Sequence, residues 1–221
     1  ADNLLNAKKK ILNESDIKII NLALDLSYEK SVSEIIHSCK DLNIGLLVLS
    51  AGFGTSGLFL DNSIHSELNM LKVNVESVLG ITHYFAQKMT LQGRGGIIFL
   101  SSIVAFQGTP YASNYAASKA YIQSFAEGLA VELKPKGIDV LAAAPGPVKS
   151  SFGLRANMRM SMALSPADVG LPIIKALGKK TTVFPGRLTK LLMFSLMTAP
   201  RFLKVKIMGN IMGTMTKHQK T

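Results

Sequence analysis

Residues 95–146 read GGIIFLSSIVAFQGTPYASNYAASKAYIQSFAEGLAVELKPKGIDVLAAAPG, and the alternation of textures inside this stretch decides the fold. GIIFLS at 96–101 and IDVLAAA at 138–144 are short runs, apolar nearly throughout, while residues 114–134 between them repeat with a helical period. Strands that are apolar on every residue, not on alternate ones, are those covered on both faces. A strand, a helix and a second strand in this order require a right-handed crossover and give a parallel pair.

The pattern continues in both directions. Strands are predicted at about 17–24 (IKIINLAL), 45–50 (GLLVLS) and 181–184 (TTVF), and helices at about 28–41, 64–90 and 166–178. The predicted fold class is therefore α/β, a doubly wound parallel sheet. From Arg187 onward the chain reads as two short helices broken at Pro200. No internal repeat, low-complexity segment or composition shift divides it, so one domain over 1–221 is expected. With 221 residues, 48% apolar and 18% charged, the chain is long enough for a full core and too apolar for disorder. No apolar run approaches the roughly 18–20 residues that span a bilayer, and residues 1–10 lack the apolar core of a secretion signal. The single cysteine, Cys39, excludes a disulfide framework and any Cys-rich metal site, so a reducing, cytoplasmic compartment is the expectation. The four histidines have no metal-ligand spacing, and no metal is expected.

The formal net charge of +11 has a location. Asp168 is the last acidic residue, and ten basic residues follow it, so the excess sits in the C-terminal quarter. Residues 187–221 are basic and amphipathic and hold five of the ten Met. Three readings fit them: a lid or core element on the substrate side, a subunit interface, or peripheral contact with an anionic membrane. A solvated basic face explains the charge without a partner. No basic–aromatic stacking pattern accompanies it, so nucleic acid is not an expected partner.

Doubly wound sheets often hold nucleotides, and Gly52-Phe53-Gly54-Thr55-Ser56-Gly57 matches G-x-G-x-x-G directly after a predicted strand. The context argues against a phosphate loop, because a long helical stretch follows with no second strand and no acidic residue closing one. More informative are Tyr115 and Lys119, four apart and hence on one helix face. Ser102 ends the preceding strand, Ser50-Ala51-Gly52 ends another, and Pro145-Gly146-Pro147-Val148-Lys149-Ser150 follows a third. All lie at the carboxyl ends of strands, where open α/β sheets bind ligands. A phenol beside an ammonium is expected to ionise more readily than its usual pKa near 10 allows, bringing it into the range of general acid/base work.

The joint pattern LSAG, N-V, S-S-x12-Y-x-x-x-K and PGPVKS, between about residues 17 and 186, resembles the short-chain dehydrogenase/reductase family. The resemblance implies a Rossmann-like fold and NAD or NADP as cofactor for oxidoreduction between a carbonyl and an alcohol. It implies Tyr115 as general acid/base, Lys119 as its activator, Ser102 as partner of the substrate oxygen and Asn74 as a fourth member that could anchor a relay water. It further implies cofactor contacts from Asp25 and Leu26, from Ser50, Ala51 and Gly52, from Tyr115 and Lys119, and from Pro145, Gly146, Val148 and Ser150. Asp25 is equally the residue type that caps a helix beginning near Tyr28. A homodimer or homotetramer is the assembly the family implies.

Two departures stand out. The family's glycine-rich segment follows its first strand, and nothing here matches it; the expectation is a chain short of roughly 35–45 N-terminal residues, judged against one βαβ unit. The family order 3-2-1-4-5-6-7 would put those strands between the ones at 17–24 and 45–50. The substrate loop after Pro145 is rich in Met, which suits an apolar substrate of variable shape, and also carries Arg155 and Arg159. The expected function is reduction or oxidation of an apolar small molecule. The alternative is an SDR-like chain without productive cofactor binding, membrane-peripheral through its tail.

Overall fold

The computed structural model describes residues 2–160 and 163–219. Four strands, β1 (Leu46–Leu49), β2 (Gly95–Leu100), β3 (Ile138–Ala143) and β4 (Thr182–Val183), form one sheet in the order β1-β2-β3-β4. Every pairing is parallel, with Ile97 opposite Val140 and Phe99 opposite Ala142. The helices are α1 (Asp2–Leu12), α2 (Glu29–Ser38), α3 (Ile64–Leu71), α4 (Ser77–Gln92), α5 (Ser113–Leu133), α6 (Phe152–Arg155), α7 (Pro166–Ala176), α8 (Arg187–Thr198) and α9 (Arg201–Met215).

The all-apolar strands are explained by what covers them. Ile97, Phe99, Val140 and Ala142 face one way and pack on Val78 and Met89 of α4 and on Ile122, Ala126 and Ala130 of α5. Their sequence neighbours Ile98, Leu141 and Ala143 face the other way, onto Val169, Ile173 and Ala176 of α7. Period-two alternation thus sends successive apolar side chains into two separate cores. This is the doubly wound, Rossmann-like arrangement predicted. A third core gathers at the carboxyl ends of the strands and joins Met70, Tyr115 and Met158 to Met193, Leu196, Met208 and Met212 of the C-terminal helices.

Two expectations need correction. Residues 17–24 are not a strand: Ile17, Ile20 and Leu22 are exposed, and no sheet partner takes their backbone among the described residues. A strand exists through its ladder of hydrogen bonds, and β1 pairs only with β2 there. What holds this segment is α1, which sequence periodicity missed: Lys8 Nζ donates to the Ile19 carbonyl (3.0 Å) and Asn21 Nδ2 to the Leu4 carbonyl (3.1 Å). The helix predicted at 64–90 is interrupted, because a π-helical turn at Lys72–Glu76 separates α3 from α4.

Candidate active site

Strand β2 ends at Leu100, and Ser101 and Ser102 follow as the chain leaves the sheet. Ser102 caps a short 3-10 turn, its Oγ accepting from the Val104 N–H (3.4 Å). Helix α5 starts across the same end of the sheet, placing Tyr115 in its first turn and Lys119 one turn on. Both are buried, and the Ser102 side chain stands close enough to act on the Tyr115 hydroxyl. Lys119 Nζ lies 5.9 Å from the Tyr115 ring centroid and donates to the Leu100 carbonyl (2.7 Å). Ser101 Oγ donates to the Lys119 carbonyl (3.2 Å), tying the strand end to the helix.

The electrostatics run against one expectation. Burial pushes the Tyr115 phenol well above its usual pKa, an effect the nearby Ser102 side chain offsets only in part. Burial also pulls the Lys119 ammonium down to about 8. The phenol is therefore not depressed: desolvation of the phenolate outweighs the help of a neighbour whose own charge is desolvated and whose proton is given to a carbonyl.

Asn74 sits buried in the π-helical turn and works on backbone. Its Oδ1 accepts from the Phe53 N–H (3.1 Å), and its Nδ2 donates to the Phe53 carbonyl (2.8 Å) and to Ser118 Oγ (3.2 Å). A Cβ on Gly52 would lie 2.9 Å from Asn74 Oδ1, and one on Gly54 2.9 Å from the Phe152 ring. These glycines serve close approach of side chains, while residues 53–58 line a separate cavity of about 700 Å³.

A cavity of about 720 Å³ opens beside this group. Ser102, Tyr115, Lys119, Ser50 and Gly52 line it from the ends of β1 and β2 and from α5. Pro145, Gly146, Val148 and Ser150 line it from the loop after β3, anchored where the Ile103 N–H donates to the Pro145 carbonyl (3.1 Å). Leu26, Ser50 and Ala51 line a second cavity of about 350 Å³, so Ser50 borders both. Asp25 borders neither; its carboxylate accepts from the Ser27 N–H (2.9 Å) in a local turn before α2, which also holds its pKa below the usual value. Asn74 lies behind the cavity wall and not on it.

Phe152 and Ser118, which sequence reasoning did not single out, complete the surroundings together with the inner face of α9, for which a lid on the substrate side was one of the expected readings. The Phe152 ring stands 5.3 Å from that of Tyr115. Met208, Met212 and Met215 of α9 line the cavity opposite the sheet, so this part of the tail is a lid. Their helical spacing was the available signal; for Ser118 it was the i+3 step from Tyr115.

The donor set suits the nicotinamide riboside end of a dinucleotide. Among the described residues Lys119 Nζ has a single hydrogen-bond partner, which leaves two of its three protons for a ligand beside Tyr115 and Ser50.

Residues 1–160 match the short chain dehydrogenase family. A 7beta-hydroxysteroid dehydrogenase of Clostridium sardiniense is 26% identical over 186 residues, covering 82% of this chain and 71% of that protein. A 3-oxoacyl-[acyl-carrier-protein] reductase of Aquifex aeolicus is 32% identical over 146 residues, covering 65% of this chain and 59% of its own length. Among solved structures, one of a 7beta-hydroxysteroid dehydrogenase superposes with TM-score 0.80 at 22% identity, covering 93% of this chain and 81% of that one. A short-chain dehydrogenase of Sphingobium yanoikuyae in complex with NADPH gives TM-score 0.74 at 22% identity, covering 87% and 80%. Fold and site define an α/β oxidoreductase of the NAD(P)-dependent class. The chain belongs to the short-chain dehydrogenase/reductase family.

Proposed function

We propose that this chain interconverts a carbonyl and an alcohol on an apolar small molecule, with Tyr115 as the general acid/base. The observation that carries the reading is the grouping of Tyr115, Ser102 and Lys119 on the wall of one largely apolar cavity. A bound nicotinamide dinucleotide supplies or accepts the hydride. Ser102 holds the substrate oxygen, and Tyr115 passes its proton to that oxygen as the carbonyl carbon is reduced. A phenol held above its usual pKa is protonated at neutral pH and so carries the proton that the reduction needs. Lys119 anchors the riboside and keeps positive charge near the phenol.

Asn74 acts as a positioning residue in this scheme. It fastens Phe53 to α5 through Ser118 and so holds the wall beside Tyr115. The Met residues of α9, with Phe152 and Val148, favour a bulky apolar substrate. Two relatives named above carry a hydroxysteroid and a 3-oxoacyl group in their names, which fits that class.

Loss of NADPH absorbance with a panel of bulky ketones tests the proposal. Tyr115→Phe should lower turnover by about 10²–10⁴-fold while NADPH binding, read by fluorescence, stays as in the wild type. Undiminished turnover in Tyr115→Phe would remove this residue from the mechanism.

A further inference from the structure

Helix α8 buries Thr189, Met193 and Leu196, and α9 buries Met208 and Met212. Large apolar side chains remain on the outside of the pair. Leu191 is 63% exposed, Phe194 72%, Met197 61% and Phe202, at the start of α9, 75%. Three of them recur at intervals of three residues along α8, and Phe202 follows just past the break at Pro200. A surface meant only for water does not ordinarily group side chains of this size.

The charges around them have one sign. Arg187, Lys190, Arg201 and Lys206 are exposed on the same two helices, and no acidic residue occurs after Asp168. A second copy docking symmetrically through this face would oppose cation to cation, because an isologous interface presents the same patch twice. Anionic lipid headgroups complement the cations, and the acyl boundary accepts the aromatic and aliphatic groups. No helix among the described residues is long and apolar enough to cross a bilayer.

We propose that the outer face of α8 and the start of α9 docks this protein on an anionic membrane surface, Leu191, Phe194, Met197 and Phe202 entering the headgroup boundary and Lys190 and Arg201 pairing with lipid phosphates. The inner face of the same α9 closes the cavity beside Tyr115, so the docking face and the lid are two sides of one element.

Co-sedimentation of the protein with phosphatidylcholine vesicles, with and without about 30% phosphatidylserine, tests this. Binding is expected on the anionic vesicles and should fall steeply as salt rises. The pair Lys190→Ala with Arg201→Ala should weaken it roughly 20- to 30-fold. The pair Phe194→Ser with Phe202→Ser should weaken binding to both vesicle types. Because these side chains point outward, melting temperatures of both pairs should stay at the wild-type value; the charge pair remains decisive if the Phe pair folds poorly. Absence of vesicle binding, or binding that neither pair changes, would overturn the proposal. So would concentration-dependent self-association abolished by the Phe pair, which would give the face to a second copy.

Discussion

Burial drives Tyr115 and Lys119 toward their neutral forms, and the consequence for stability has a definite sign. Lys119 releases its proton at about 8 when folded and at its ordinary value of 10.5 when unfolded. Between those values the unfolded chain binds a proton that the folded chain lacks, so this lysine makes stability rise with pH, by about 2 kcal/mol from pH 8 to 10. Tyr115 acts in the opposite sense above pH 10, where the unfolded chain loses a proton that the folded chain keeps. Urea midpoints of wild type and Lys119→Met, compared at pH 7, 8.5 and 10, isolate the first effect. The difference between the two proteins should shrink or reverse in favour of the wild type as pH rises, and a constant difference would contradict the burial of a lysine that loses its charge. Asn74 is the other residue whose environment makes a numerical demand. Asn74→Ala leaves the Phe53 N–H, the Phe53 carbonyl and Ser118 Oγ without their partner, at a cost of about 2–4 kcal/mol in a urea melt. Activity should fall through kcat as well, since Phe53 and α5 are no longer fastened together.

At the scale of elements, the loop after β1 and the lid α9 are the two that shape the cavity. Gly52→Ala puts a Cβ 2.9 Å from Asn74 Oδ1, and the resulting shift should cost about 1–3 kcal/mol. Met212→Ala should cost about 2–4 kcal/mol as a core cavity and raise KM for bulky substrates more than for small ones. An unchanged KM ratio would separate α9 from substrate. These elements also mark where sequence reading reached its limit. β2 and β3 were legible because strands covered on both faces leave unbroken apolar runs; β1 has the same texture although Leu46 and Val48 on one face are exposed. Residues 17–24 carry the same texture without the ladder, since composition reports what a side chain could be covered by and not whether a neighbouring backbone is there. The π-helical turn at Lys72–Glu76 left no trace because it is a change of backbone hydrogen bonding within an ordinary helical sequence. That Tyr115, Lys119 and Ser102 come together at one cavity was legible from strand-end position and spacing. The direction of the Tyr115 shift was not, because it depends on Phe152 and the cluster that α8 and α9 bring from far along the chain.

The whole molecule joins two ordinary sheet cores to a third, Met-rich core built at the carboxyl edge. We propose that this edge seats the nicotinamide end of a dinucleotide against Lys119 and Tyr115. The most direct measurement is a thermal melt of wild type and Lys119→Met with NADPH and with NADH. A ligand at 100 times its Kd adds about 2.7 kcal/mol, which for a chain of this size is a rise of roughly 5–10 °C. The account predicts such a rise in the wild type with at least one of the two dinucleotides, and a distinctly smaller one in Lys119→Met at the same concentration. An unshifted wild type with both, or an equal shift in the variant, would contradict it.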